Sequence, residues 1–284
     1  MSPHASSYRI PGPDALVTSE TLRAFPSAHL GNRRPIRVLL PPHYARRAGE
    51  RFPTIYLNDG QDVDSLSVVA TLERLYDQRA IRHLIVVAVY ATADRLNEYG
   101  VAGVPNAQGR GTRADAYEAF LLEEVMPAIN RRYRTLAGPA HTAIAGMSLG
   151  GLAAFDLAWR HPELFGTVGV FSGSFWWRTD DRTWRTRQAS RIMHRRVRGT
   201  PGRPALRMWF QAGTEDETSD RDGNGVIDAI QDTTELMDEL VAKGYRPGAD
   251  MTYLEIAGGR HDQATWARAL PEFLTWAFPL VAGR

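Results

Sequence analysis

Ala143-Ile144-Ala145-Gly146-Met147-Ser148-Leu149-Gly150-Gly151 is the stretch whose reading decides the fold. Its first three residues have the composition of a short buried strand. Beyond Ser148, the small residues Gly150, Gly151, Ala153 and Ala154 let a helix pack tightly against its neighbours. Between these two elements lies Gly-x-Ser-x-Gly, a sharp strand-to-helix turn whose glycines let the serine adopt a strained conformation with its hydroxyl exposed. An isolated match to so short a pattern also arises in ordinary glycine-rich turns. The strand before it and the helix after it supply the context the pattern requires, and they make Ser148 the candidate nucleophile.

Outward from this turn, apolar runs alternate with helical patterns. Strands are expected at 15–23, 35–40, 52–57, 84–89, 141–145, 167–171, 206–210 and 251–256, and helices at 65–78, 114–133, 149–160, 228–243 and 263–278. Leu84 to Val89 is apolar at every position, as in a central parallel strand covered on both faces. Such alternation predicts a mainly parallel, doubly wound α/β sheet with helices on both faces and ligand sites at the carboxyl ends of its strands. No repeat or low-complexity tract breaks the order, so residues 1–284 read as one domain with an irregular lead-in over 1–14.

The composition narrows the function classes. The chain has 284 residues, 43% of them hydrophobic, enough to bury a substantial core. Its pI is about 9.0, yet the formal net charge is only +2 and Lys243 is the only lysine. The local concentration of positive charge, Arg182 to Arg198, is too narrow for a nucleic-acid-binding face, so no nucleic-acid partner is expected. With no cysteine there is no thiolate metal site and no cysteine nucleophile, and the compartment stays open. Met1 to Tyr8 lacks a basic-then-apolar signal, and no apolar run approaches the roughly 18 residues of a membrane span. The chain therefore reads as soluble, with no membrane partner. Oligomeric state is not legible.

A serine hydroxyl is protonated at neutral pH and needs a base within hydrogen-bond reach, itself oriented by an acid. In this fold the chain order is serine, acid, histidine. Three histidines follow Ser148: His161, His194 and His261. His161 ends the helix after the serine, and His194 lies in the arginine-rich stretch, where a solvated surface role is expected. His261 follows the last apolar strand in a glycine-rich loop and is the candidate base. The acid is expected in Gln211-Ala212-Gly213-Thr214-Glu215-Asp216-Glu217, where Asp216 is preferred over Glu215 and Glu217. Donors for the developing oxyanion are expected from the backbone N–H of Leu149 and from Gln61, after the tight turn at Asp59-Gly60.

Tyr56 to Gln61, Arg95-Leu96-Asn97-Glu98-Tyr99, Gly146 to Gly151, Arg160-His161-Pro162, Ser172-Gly173-Ser174-Phe175-Trp176-Trp177 and Gly259-Arg260-His261 together resemble the Putative esterase, or esterase D, family. That family includes enterochelin esterases, feruloyl and acetylxylan esterases of carbohydrate esterase family one, S-formylglutathione hydrolases and mycolyltransferases. The resemblance runs from about Arg34 to the last helix. It implies an α/β-hydrolase fold, ester hydrolysis through an acyl-enzyme and no cofactor for catalysis. By position it implies nucleophile Ser148, acid Asp216 in the Gly-Thr-x-Asp pattern, base His261, and oxyanion amides on Gln61 and Leu149. The last two subgroups carry other surroundings at the serine and match poorly.

Three features extend this reading. Trp176 and Trp177, just past the strand after the serine, are candidate walls for a planar or sugar ring, or else one is core and the other a lid contact. Arg95 and Glu98 either frame the pocket mouth or anchor a loop through ion pairs, the structural role being favoured. Asp220-Arg221-Asp222-Gly223-Asn224-Gly225-Val226-Ile227-Asp228 places oxygen ligands Asp220, Asp222, Asn224 and Asp228 as a calcium-binding EF-hand loop does, but Gln231 stands where that loop has a bidentate glutamate. It reads either as a structural calcium site or as a turn whose side chains bond their own backbone. The leading expectation is a serine carboxylic-ester hydrolase acting on a small-molecule or saccharide ester of feruloyl, acetyl-sugar or siderophore type. The alternatives are an acyltransferase using the same three residues and a non-catalytic module on a hydrolase scaffold.

Overall fold

A computed structural model describes residues 16–280. The irregular lead-in expected over 1–14 and the first residue of the first expected strand lie outside the described residues. Eight strands form one sheet in the order β1-β2-β4-β3-β5-β6-β7-β8. They are β1 (Thr18–Ser27), β2 (Asn32–Leu40), β3 (Thr54–Asn58), β4 (Ile85–Val89), β5 (Thr142–Met147), β6 (Thr167–Phe171), β7 (Arg207–Glu215) and β8 (Met251–Arg260). β1 and β2 form an antiparallel edge, β2 meets β4 antiparallel, and every pairing from β4 to β8 is parallel. The mainly parallel α/β sheet expected from the alternation is the one observed.

β3, β4 and β5 are buried at every position because helices cover both faces. On one face, Tyr56, Val87, Ile144, Val168 and Phe210 pack with α5 (Leu149–Arg160), α7 (Ile192–Gly199) and α8 (Asp228–Ala242). On the other, Ile55, Val86, Ala145, Phe171 and Trp209 pack with α1 (Val68–Asp77) and α9 (Gln263–Ala277). Neighbouring strand residues thus divide between two cores, as the two-residue period of a strand dictates.

Several elements differ from expectation. β7 and β8 run on through Glu215 and Arg260, because the two strands continue to pair beyond the body of the sheet, Gly213 opposite Ile256 and Glu215 opposite Arg260. What reads as a glycine-rich loop before His261 is therefore mostly strand. Gly259 faces Gly213 so closely that a Cβ on Gly213 would overlap the Gly259 carbonyl, and that approach is why glycine occurs there. The helix expected at 114–133 is three segments: α3 (Ala114–Ala119), a π-helical turn Phe120–Val125 and α4 (Met126–Arg132). Pro127 in the first turn of α4 lacks an N–H and would crowd the carbonyl one turn earlier, and the wider π turn accommodates it.

The arginine-rich stretch is largely paired. Arg191 binds Asp232 and Glu235, Arg196 binds Asp156, and Arg198 binds Glu239. His194 is 2% exposed with Nε2 against the Asp232 carbonyl, which corrects the expectation of a solvated surface histidine. It sits on the inner side of the amphipathic α7, beside Met193 and Val197. Among the described residues no helix is long and apolar enough to cross a membrane.

Candidate active site

The carboxyl ends of β3, β5, β6, β7 and β8 converge, and their first loop residues build the site. β5 hands over to α5 at Ser148, whose φ of 55° and ψ of −124° lie outside the regions open to most residues. The neighbouring glycines make this turn sterically feasible. A Cβ on Gly146 would overlap the Gly150 carbonyl, one on Gly150 would come 2.5 Å from Asp59 Oδ2, and one on Gly151 would lie 2.9 Å from the Gly146 carbonyl. The Ser148 N–H donates to the Phe171 carbonyl at 2.8 Å and the Ser174 N–H to the Ser148 carbonyl at 3.1 Å, tying the elbow to β6 and its loop.

Ser148 Oγ stands 2.8 Å from His261 Nε2, the distance at which a hydroxyl donates to a neutral imidazole. His261 follows β8 directly. Its ring meets Trp266 edge-on at 5.2 Å, and the Trp266 indole N–H donates to Ser172 Oγ at 2.9 Å. Asp262, the next residue, caps α9 by accepting from the Thr265 N–H, which holds the histidine-bearing turn.

Of the three carboxylates after β7, only Asp216 is buried on the histidine's side. Its Oδ2 accepts from the Gly213 N–H at 3.0 Å, while Oδ1 is buried with no hydrogen-bond partner. Burial pushes its carboxyl above the usual carboxylate range, opposed by the Gly213 amide, the Ser172 hydroxyl and the His261 imidazole. Burial pulls the imidazole below its usual value, and the Asp216 charge opposes that pull. Glu215 points outward, exposed and paired with Arg260 at 3.1 Å. Glu217 reaches the start of α8, and its carboxyl is raised first by burial and then by Asp228 and Asp232.

A cavity of about 250 Å³ opens over Ser148 and His261, lined also by Ser172, Ser174, Trp176, Asp216 and Glu217. Trp176 contributes its half-buried ring to this wall. Trp177 does not: it is 1% exposed in the core cluster, so its candidacy as a substrate contact is corrected. Ser172, Ser174 and Glu217 were not expected as lining residues. Ser172 has a positive φ of 45°, and a backbone conformation of that kind leaves no trace in sequence for a residue other than glycine.

The β3 loop is braced against the elbow. Asn58 Nδ2 donates to the Gly150 carbonyl at 2.8 Å and its Oδ1 accepts from the Tyr117 hydroxyl at 2.6 Å. Arg95 binds Asp59 with two hydrogen bonds of 2.6 and 2.7 Å and reaches the Met147 carbonyl at 3.5 Å. Glu98, fully buried, binds Arg34 with two bonds of 2.8 Å. Arg95 and Glu98 are thus anchors of separate strands, in keeping with the favoured structural role. Gln61 lies in the single 3-10 turn Gly60–Asp62 entered through the left-handed Asp59, and Leu149 opens α5. Amides in the first turn of a helix have no acceptor within that helix, which leaves the Leu149 N–H available.

The loop expected to hold calcium is organised around its own backbone. Asp220 accepts from the N–H groups of Gly223, Asn224 and Gly225, and Asn224 Oδ1 accepts from Val226. Asp228 accepts from the Arg221 N–H at 2.9 Å, and Asp222 accepts from Gln231 Nε2 at 2.9 Å. Among the described residues no group of three or more His, Asp or Glu is placed to hold a metal ion. These are the bonds the turn reading describes, side chains accepting from their own backbone.

Comparison with known proteins places the chain. It is 28% identical over 158 residues to the endo-1,4-beta-xylanase/feruloyl esterase of Xylanibacter ruminicola, covering 52% of this chain and 21% of that protein. It is 30% identical over 154 residues to the iron(III) salmochelin esterase of Escherichia coli O6:H1, covering 54% of this chain and 35% of that protein. The chain thus spans about a third or less of the length of these two curated relatives. Among solved structures, a ferulic acid esterase superposes with a TM-score of 0.70 at 19% identity, covering 93% of this chain and 98% of that one, which shows a shared α/β-hydrolase-type fold. The model of the family described as Putative esterase matches residues 27–277, and the chain belongs to that family.

Proposed function

We propose that the protein is a serine carboxylic-ester hydrolase in which Ser148, His261 and Asp216 act as nucleophile, base and orienting acid. The observation that carries this reading is the 2.8 Å approach of His261 Nε2 to Ser148 Oγ at a strained strand-to-helix turn. His261 takes the hydroxyl proton as Oγ attacks the ester carbonyl. Asp216, whose charge acts on the imidazole, stabilises the imidazolium that forms without accepting its proton. The tetrahedral oxyanion is received by the Leu149 and Gln61 amides, and its collapse expels the alcohol, protonated by His261, to leave an acyl-enzyme. Water, activated by the same imidazole, then releases the acid and restores Ser148. The chemistry uses only these residues and water.

The test is Ser148→Ala with p-nitrophenyl acetate as substrate. Turnover by the wild-type protein and a loss of about a thousandfold or more in kcat/KM for the variant is expected, together with fluorophosphonate labelling of the wild type alone. Equal turnover by the variant would overturn the assignment. The substrate classes carried over from the relatives are feruloyl and siderophore esters, the family resemblance adding acetyl-sugar esters, with Trp176 as the ring-facing wall.

A further inference from the structure

One charged group in the cavity at Ser148 takes no part in the chemistry above. We propose that Glu217 sets the charge preference of this pocket, so that its substrates are neutral, hydroxyl-bearing esters of sugar or phenolic type and polyanionic esters are rejected. The proposal rests on the esterase reading and specifies its substrate class.

The cavity is lined by two carboxylates, Asp216 and Glu217, and by His261, with no arginine or lysine among its lining residues. Asp216 is matched to the imidazole. Glu217 is matched to no cation. Its carboxylate is held by the Ala229 N–H at the start of α8 and by the Ser219 hydroxyl, and it faces the further negative charges of Asp228 and Asp232. The guanidiniums on that side are committed elsewhere: Arg221 to Asp228 and Asp232, and Arg191 to Asp232 and Glu235. Arg95, which acts electrostatically on His261, is bound by both oxygens of Asp59.

A carboxylate offers acceptors and no donor, so it is complementary to hydroxyl groups and opposes another anion. That opposition is stronger beside a half-buried carboxylate than between ions in bulk water. Trp176 lines the same cavity and gives a flat ring a face to lie on. A sugar hydroxyl or a phenol satisfies both features. A ferric catecholate siderophore, which carries several negative charges, would lie against both carboxylates with no cation in the wall. Between the feruloyl and siderophore esters of the relatives, the pocket therefore favours the feruloyl class, and acetyl-sugar esters share its neutrality.

The experiment compares kcat/KM within two matched ester pairs for the wild type, Glu217→Gln and Glu217→Lys, at one pH and ionic strength. p-Nitrophenyl acetate and p-nitrophenyl hemisuccinate place the charge on the acyl side; methyl para-acetoxybenzoate and para-acetoxybenzoate place it on the leaving side. The ratio is read inside each variant, so a general loss of activity or folded protein cancels. The wild type is expected to prefer the neutral member of at least one pair by about tenfold or more. Glu217→Gln, which keeps an acceptor for Ala229, should narrow that ratio at least fivefold, and Glu217→Lys should invert it. Ratios that agree within twofold across all three proteins overturn the role of Glu217 while leaving the esterase reading intact. Failure of the wild type to turn over any of the four overturns the esterase reading itself.

Discussion

His261 works in a setting that favours its uncharged form. Burial lowers its pKa below the ordinary 6.5, and Asp216 only opposes that shift. Since the neutral imidazole is the base, a lowered pKa keeps it competent to more acidic pH. The acidic limb of kcat/KM against pH should therefore have its midpoint below 6.5, and an acidic limb centred above 7 would show that the Asp216 charge outweighs burial. At this scale the sequence narrowed the candidates without separating all of them. Glu215, Asp216 and Glu217 are adjacent carboxylates, and they differ in what each meets: Arg260 for Glu215 at the end of β7, the Gly213 N–H for Asp216 and the start of α8 for Glu217. Trp176 and Trp177, neighbours at a turn, also divide, one into the cavity wall and one into the core.

The segment between Asp220 and α8 matches the calcium-loop spacing, and its side chains bond their own backbone. Arg221, the second residue of the calcium-like pattern, has a side chain 2% exposed that binds Asp232 at 2.6 Å and Gln188 at 2.8 Å. Asp232 keeps Arg191 when Arg221 is removed, so what is lost is charge-assisted hydrogen bonding and not the whole ion pair. Arg221→Met should thus lower the stability to denaturant by about 1.5 to 3 kcal/mol. Thermal melts of the wild type should coincide in added calcium and in chelator, because an ion that bound only the folded state would raise the melting temperature. The spacing of oxygen ligands was legible in the sequence; that Asp220 turns to three backbone amides was not. The π turn at Phe120–Val125 belongs to the same class, since Pro127 signalled a disturbance in the helix without specifying its form.

Across the whole molecule, the sheet separates two cores, and α5 is the element that joins the catalytic turn to one of them. Phe155 of α5 is fully buried and meets Trp159, Phe175 and Phe210 at ring distances of 5.9, 5.5 and 5.7 Å. Phe155→Ala should lower the unfolding free energy by about 3 to 5 kcal/mol, measured by denaturant titration. It should also reduce esterase activity, because Phe175 sits in the loop that holds Ser174 beside Ser148.

What the sequence determined by itself was the alternation of strands and helices, the mainly parallel sheet, and the places of Ser148 and His261 with three candidate carboxylates between them. All of these follow from local patterns: apolar runs, helical periodicity, and a glycine-framed turn that only small residues permit. Tertiary structure alone decided which carboxylate faces His261, which tryptophan lines the cavity, that His194 is buried, and that the Asp220 loop folds on its own amides. Those outcomes depend on strand pairing beyond the sheet and on close contacts between segments up to 113 residues apart, as between Ser148 and His261. No pattern of nearest neighbours carries that information, because burial and partner choice are set by what the rest of the chain brings alongside.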